Sequence, residues 1–586
     1  MHDLVIRGGT VVDGTGATRR VADVAVDAGL ITAVTENAGP GRREIDARGL
    51  LVTPGFVDIH THYDGQATWD PFLTPSSWHG VTTAVFGNCG VGFAPVRPGA
   101  VPYLINLMQG VEDIPEIVLS EGVKFDWETF PQFMDSIAAM PRIMDVGTQV
   151  PHAALRLYAM GDRGANHREQ PSATEIEHMG SMLEEALNQG ALGFTSSRTK
   201  KHRAGDGRRV PTLSADHAEL QGLAQAMKRA GKGVIEVNSD FGPGEFELMR
   251  SMAETAGRPL SCLMVQVDEA PDRWRETLGQ IHAARADHIE ANGQVGCRPI
   301  GVLIGLETTI NPFAEHPRWL AMASLTPADR YAQLCQDSGL RDALVREEHC
   351  DPALQRLIDK LPRAHVIGEL LDYEPDASTN LGAVSKHSGR SVRELALEAM
   401  MAQNGKGLLL LPHENYHHGN LDDVHDMLVD EATIMGVADA GAHVGVICDG
   451  SAPTLLLTHW TRDRVRGPKL SIEFAVHKQT QATAAAYGLL DRGVLAPGLK
   501  ADINVIDHDR LTLLRPEVVY DLPAGGRRLI QKAQGYRHVF VSGVETVTDD
   551  AFTGALPGKL VRGGAATAST AAGSTAGQHE PQTIKG

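Results

Sequence analysis

Two histidines separated by one residue, His60 and His62, close the apolar run Phe56-Val57-Asp58-Ile59. On a strand, residues two apart face the same side, so both imidazoles would point at one place, where a divalent metal ion fits. The pattern needs company. With 25 His in 586 residues, about one His-x-His arises by chance, and two hydrogen-bonded histidines at a strand end are the ordinary alternative. Cys89 stands in Gly87-Asn88-Cys89-Gly90 after the next apolar run. Its glycines permit a sharp turn, and a thiolate is a strong ligand that offsets part of a cation's charge. A lone cysteine is otherwise a small buried hydrophobe. Far downstream, Ile434-Met435-Gly436-Val437-Ala438-Asp439-Ala440-Gly441-Ala442-His443 delivers a carboxylate into a Gly-rich turn. There it can bind metal or accept a proton from water, with a helix cap or an Asx-turn as the structural alternative.

These residues need strands to carry them. Apolar runs Val81–Phe86, Ala191–Thr195, Gly233–Val237 and Pro259–Val265 alternate with helical patterns, such as Gly244 to Ala256 with Phe246, Met249 and Met252 on one face. Strand and helix in repetition predict parallel β/α units, for which a (β/α)8 barrel is the commonest solution over some 400 residues and a doubly wound sheet the alternative. In a barrel, His60 and His62 open on the C-terminal face, where barrel enzymes keep their chemistry. Short alternating strands separated by Gly8-Gly9 and Asp13-Gly14 begin the chain, and a similar texture returns at Ala501–Ile506 and His538–Gly543. The two ends are expected to complete one small sheet domain. Residues 316–365 are charged and helical and read as an insertion. The Gly/Ala/Ser/Thr-rich stretch 563–586 reads as a disordered tail.

With 54 Lys+Arg against 73 Asp+Glu, the formal charge is -19, which argues against nucleic acid or an anionic membrane as partner. Apolar runs such as Gly407–Pro412 fall far short of the roughly 20 residues a span requires. Six scattered cysteines and an opening without a basic-then-apolar leader predict a reduced, cytoplasmic protein. A small molecule is the expected partner, and a homo-oligomer is compatible with the sequence.

Taken together, the motifs resemble the amidohydrolase superfamily, and within it the N-acyl-D-amino-acid deacylase (D-aminoacylase) branch. The resemblance runs through Leu4-Val5-Ile6-Arg7-Gly8-Gly9-Thr10-Val11-Val12-Asp13-Gly14, Pro54-Gly55-Phe56-Val57-Asp58-Ile59-His60-Thr61-His62, Gly87-Asn88-Cys89-Gly90, Arg492–Asp502 and Gly554–Gly558, over about 560 residues in consistent order. It implies an α/β fold: a distorted (β/α)8 TIM-type barrel at 54–489, beside a small β-sandwich built from 1–53 and 490–562. It also implies Zn2+, held by His60 and His62, with Cys89 at the bridging position and Asp439 as the base of the last strand. Zinc lowers the pKa of its water to about 7, and Asp439 would pass the proton to the departing nitrogen.

The sequence departs from this family in one respect. The family carries a histidine on each of the fifth and sixth strands, but Val234–Ser239 and Leu263–Asp268 contain none. Three arrangements follow: one metal held by His60, His62 and Asp439; a site completed by Glu236; or no tight metal. A single metal is the reading adopted. The sixth-strand change also removes a family contact to the substrate carboxylate. Arg198, in Ser196–Arg203, could clamp that group or belong to a solvated basic loop. His152 and His443 are further substrate-side candidates, and His413, His417 and His418 read as a polar loop. The activity implied is hydrolysis of a linear amide, an N-acyl amino acid or related small amide. The alternatives are a cyclic-amide hydrolase of the same superfamily and a catalytically silent binding relative.

Overall fold

Both chain ends meet in one nine-stranded sheet of the computed structural model, which describes residues 1–347 and 352–563. Residues 564–586 of the expected tail lie outside the described residues. The first 54 residues supply strands His2–Val11, Arg20–Asp27, Leu30–Thr35, Gly41–Asp46 and Leu51–Pro54, and the far end supplies Ile503–Ile506, Tyr536–Val541, Val544–Thr548 and Ala551–Phe552. The seam is the antiparallel pairing of Leu51–Pro54 with Ile503–Ile506, in register Val52 to Val505. Alternation explains it: Leu4, Ile6, Val24, Val26, Val52, Ile503, Val505 and Phe540 turn to one side and form a buried cluster.

The next strand starts one residue after this seam, at Phe56–Asp58, and pairs in parallel with Val81–Phe86, which pairs with Asp145–Thr148. A second parallel sheet takes up Val150–Pro151, then Gly193–Arg198, Val234–Ser239, Leu260–Leu263, Ala291–Val295 and Thr433–Met435 in order. The two sheets are joined at Gln149, whose N–H donates to Phe86 O at 2.9 Å. On the opposite side an isolated bridge links Thr61 to Ala440, and His62 N–H donates to Ala440 O at 2.8 Å. Parallel strands covered on both faces read as unbroken apolar runs, and all six residues of Val81–Phe86 are buried.

Helices of amphipathic pattern follow several of these strands. Ala173–Asn188 starts with a capping box of Ser172 and Glu175, and His217–Ala230 starts with Asp216 accepting from Glu219 N–H. Each such cap is worth about 1 kcal/mol.

Between Ala291–Val295 and Thr433–Met435 lies an additional unit. Its three-stranded sheet is Ile300–Gly305, Leu408–Glu414 and His365–Val366, and helices Pro327–Gln336 and Ser338–Arg346 lie within it. Its core is its own, built on Ile304, Phe313, Leu334, Leu344, Leu361, Met400 and Leu409. The helices at 316–365 therefore belong to a larger body that begins at the end of one parallel strand. Charged contacts tie that body down: Lys201 pairs with Glu414, Arg363 pairs with Asp268, and His417 Nδ1 lies 3.2 Å from Asp268. Among the described residues no helix is long and apolar enough to cross a membrane. Cys89, Cys262, Cys297, Cys335 and Cys448 are all free thiols.

Candidate metal centre and active site

His60 and His62 emerge just past the end of Phe56–Asp58, and Asp439 just past the end of Thr433–Met435. The chain closes these two ends together, with Asp439 N–H donating to His60 O at 3.1 Å. His60 Nε2 lies 3.2 Å and His62 Nε2 3.5 Å from the same atom, Asp439 Oδ1. Cys89 Sγ stands 3.5 Å from His60 Nε2. The ligand atoms of His60, His62 and Cys89 all lie within 4.8 Å of one another.

Backbone geometry makes this approach feasible. Asp439 has φ +46° and Cys89 φ +54°, left-handed values that cost non-glycine residues energy and that cluster where function requires them. Gly441 has φ +90°, and a Cβ there would come within 2.9 Å of His62 O; at Gly90, φ +67°, a Cβ would reach 2.6 Å from Ser197 N. Only glycine lets these two loops close on the strands that face them.

Two residues that the sequence reading missed fix the orientation of the rings. Gln294 donates its carboxamide N–H groups to Ser261 Oγ at 2.9 Å and Tyr487 OH at 3.1 Å, which leaves Oε1 to accept from His60 Nδ1 at 2.8 Å. His60 thus keeps Nδ1–H on Gln294 and turns Nε2 toward Asp439. On the other ring, His62 Nδ1 lies 3.3 Å from the buried Glu112 Oε1. Neither of these two atoms has a well-directed hydrogen bond. Glu112 Oε2 lies 3.7 Å from His443 Nε2, and Glu112 O accepts the His443 N–H. The one sequence signal for Gln294 was a large polar residue inside a buried strand. Glu112 ends helix Val101–Glu112 and gave no signal.

The carboxyl groups here divide sharply. Burial pushes Asp58, Asp64 and Glu236 up to about 7 and Glu112 well above the ordinary range. Burial acts against Asp439 too, but the hydrogen bonds from His60 and His62 outweigh it and hold Asp439 well below the ordinary value. On the imidazoles, burial is opposed at His60 by Cys89 and Asp439, which raise it well above its ordinary value, while at His62 burial wins and the ring falls to about 4. Burial likewise pushes the Cys89 thiol up to about 12, with His60 pulling the other way. An ionised carboxylate buried beside two imidazole nitrogens marks a place for positive charge. Two imidazole nitrogens, a carboxylate and a thiol form a donor set that suits zinc, so the residues present fit a metal ion.

The remaining candidates take other positions. Glu236 Oε2 accepts the Cys89 N–H at 3.1 Å, leaving Oε1 buried without a hydrogen bond. Arg198 is bidentate to Glu245, at 2.7 and 3.1 Å, and also donates to Ala215 O at 2.8 Å. Its guanidinium is committed within the fold. His152 is buried between Glu219, at 2.9 Å, and Ser196 Oγ, at 3.0 Å. His443 stays partly exposed at the rim, its side chain 34% accessible. His413 faces Lys360 at 3.2 Å, and with His417 it lies on the added unit's charged contacts rather than among the ligand atoms.

The sequence matches the Amidohydrolase family over residues 43–547. The chain belongs to the amidohydrolase family. Among its relatives, this amidohydrolase is 28% identical over 581 residues to the D-aminoacylase of Alcaligenes xylosoxydans xylosoxydans, covering 95% of this chain and 97% of that one. It is 27% identical over 576 residues to the N-acyl-D-aspartate deacylase of the same organism, covering 96% and 95%. Among solved structures, it resembles the N-acyl-D-glutamate deacylase of Bordetella bronchiseptica, complexed with zinc and a phosphonate mimic of the tetrahedral intermediate. That likeness has 25% identity, 96% and 99% coverage and a TM-score of 0.63. The mixed α/β fold of this amidohydrolase is the fold of that group, and its chemistry is that of a metal-dependent hydrolase of C–N bonds other than peptide bonds.

Glu112 gives the first prediction. A carboxylate behind a metal-binding imidazole fixes the ring, and losing such a partner typically costs about 10–100-fold in metal affinity. Glu112→Ala is expected to weaken metal binding by that order, and Glu112→Gln, which keeps an oxygen facing His62, is expected to recover most of it. Competition against a chelator of known affinity measures both. Equal affinities for wild type and Glu112→Ala would remove Glu112 from this role.

Proposed function

We propose that the protein hydrolyses a linear amide, an N-acyl amino acid or related small amide, with one zinc ion held by His60, His62 and Asp439 beside Cys89. The observation that carries this reading is the convergence of His60 Nε2 and His62 Nε2 on Asp439 Oδ1, at 3.2 and 3.5 Å. We also read the parallel strands as eight successive positions, Asp145–Thr148 and Val150–Pro151 counting as one across Gln149 and the ring closing at Thr61 and Ala440, and so as a distorted (β/α)8 barrel, with the terminal strands forming a small β-sandwich beside it. On this reading the site opens at the C-terminal ends of the strands.

A bound zinc ion would supply a Lewis acid that polarises the scissile carbonyl and makes water acidic enough to be deprotonated near neutral pH. The chain's own residues do the rest. Gln294 holds His60 with its Nε2 inward, and Glu112 stands behind His62. Asp439, held well below its ordinary pKa while burial raises the carboxyls around it, accepts the proton of the attacking water and returns it to the departing nitrogen, because an amine leaves poorly unless protonated. Burial of His60, His62 and Cys89 excludes bulk water and strengthens each of these interactions.

Since Arg198 is held by Glu245, the groups left to meet a substrate at the rim are His443 and the loop that follows Gly193–Arg198. A panel of N-acyl amino acids of both configurations, beside hydantoins and related cyclic amides, tests the proposal. Turnover of linear members is expected. Turnover confined to the cyclic members would transfer the chain to ring opening.

A further inference from the structure

A cavity of about 750 Å³ lies away from the metal centre, where the added unit meets the terminal strands. The strand Leu408–Glu414 marks the separation: Leu408 lines the cavity, while Glu414, at the other end, pairs with Lys201 in the loop after Gly193–Arg198. Helix Pro327–Gln336 brings Arg330 and Tyr331 to one wall, and the segment 514–520 brings Arg515 and Tyr520 to the other. The volume suits a small molecule.

Arg298, Arg464 and Arg492 pair with Asp449, Glu374 and Asp145. Arg330 and Arg515 have no such partner among the described residues. Arg330 donates only to Leu325 O, at 3.5 Å, while its Nε is buried without an acceptor and its Cζ lies 5.1 Å over the Trp319 ring. Arg515 donates to Gly368 O at 3.1 Å and to Lys406 O at 3.2 and 3.3 Å. A guanidinium carries five N–H donors, so each keeps donors for a further acceptor. Burial lowers both from the ordinary arginine value, and at Arg330 the charge of Arg527 adds to it. Positive charge thus gathers at this junction without its counter-charge. The acidic groups that line the cavity are placed otherwise: Glu307 accepts from Tyr520 OH at 2.6 Å, and Glu517 is exposed. Tyr331 packs on Gly405, where φ is +83° and a Cβ would come within 2.9 Å of the ring.

From these contacts we infer that the cavity binds a small organic anion with a planar ring, Arg330 and Arg515 taking its carboxylate or phosphate and Tyr331 and Tyr520 flanking its ring. Both walls also hold the loop that follows Asp439 and His443. From the added unit, Leu303 N–H and Thr309 N–H donate to Val446 O and Gly445 O at 2.7 and 2.9 Å. From the terminal strands, Leu529 N–H donates to Val444 O at 2.6 Å, and its strand Gly526–Ile530 pairs with Glu517–Leu522, which carries Tyr520. A ligand that ties the walls together steadies this loop. The cavity is therefore an effector site, remote from the chemistry and acting on the loop beside it.

Calorimetric titration of the full chain with phenyl phosphate tests the binding, and hydrogen exchange of residues 440–447 tests the coupling. Wild type is expected to bind phenyl phosphate more tightly than inorganic phosphate, which lacks the ring, and than benzyl alcohol, which lacks the charge. Arg330→Met and Arg515→Met are each expected to weaken phenyl phosphate by about 10–100-fold, the worth of a hydrogen bond to a charged group. Tyr520→Ala, at an exposed position, should weaken phenyl phosphate but not inorganic phosphate, and serves if the arginine variants fail to fold. Exchange at 440–447 should slow on binding in wild type and stay unchanged in Arg330→Met. No binding by wild type up to about 10 mM, or benzyl alcohol held as tightly as phenyl phosphate, overturns the site. Wild-type affinity in both arginine variants overturns it too, and places the probe at the metal centre instead. Binding that leaves exchange at 440–447 unchanged overturns the coupling.

Discussion

Asp439→Asn is expected to lower kcat for the amide substrate by roughly 10²–10⁴, the usual contribution of a positioned general base, with far smaller change in KM. Asparagine keeps the size and one oxygen of the side chain but cannot accept the proton of an attacking water. The position is also one of positive φ, +46°, which asparagine tolerates better than most residues. The fold should therefore survive, and an unaltered circular dichroism spectrum would show that it has. Steady-state kinetics on any linear amide turned over by wild type decides the matter. Wild-type turnover in Asp439→Asn would remove this carboxylate from the mechanism and leave the separation of its pKa from its neighbours without a purpose.

The second large effect concerns stability. Arg298 follows strand Ala291–Val295 and is buried; it pairs with Asp449, donates to Ser451 Oγ at 2.9 Å and Tyr373 OH at 3.1 Å, and lies 5.1 Å over the Tyr373 ring. These contacts anchor the segment that follows the Asp439 turn. Removing one partner of a buried ion pair leaves the other charge uncompensated, at a cost of about 3–5 kcal/mol. Arg298→Met is expected to lose that much in urea unfolding. Arg298→Met combined with Asp449→Leu should recover a good part of it, because no lone charge then remains inside. A loss below about 1 kcal/mol in the single variant would mean that the pair is solvated in solution.

What the sequence made legible was local. His60 and His62 could be read because one short run carries both and ends a strand, and Asp439 because an apolar run delivers it into a glycine turn. Apolar runs located the strands to within a few residues: Val81–Phe86 is a strand as read, and the run read at Gly233–Val237 became Val234–Ser239. The alternating texture of the two ends was likewise enough to expect their sheet, since Val52 and Val505 each advertise a half-buried strand.

Long-range pairing could not be read this way. Gln294 orients His60 from 234 positions away, and nothing near either residue announces the other. Arg198 looked free to clamp a substrate because Glu245 is 47 residues further on and only the fold brings them together. His202 was visible only as one member of a basic run. Its partners Ser197 and Asn238 come together only when two parallel strands align. The added unit was read too short for a similar reason: its helices stand out by composition, while the strands Ile300–Gly305 and Leu408–Glu414 that frame it pair across more than 100 residues.

The most direct test of the central claim is the anomalous scattering of zinc in crystals of the full chain grown with excess zinc. A peak is expected about 2.0–2.3 Å from His60 Nε2, His62 Nε2 and an Asp439 carboxylate oxygen. A well-ordered site in which those three groups point apart and no peak lies between them would contradict the account.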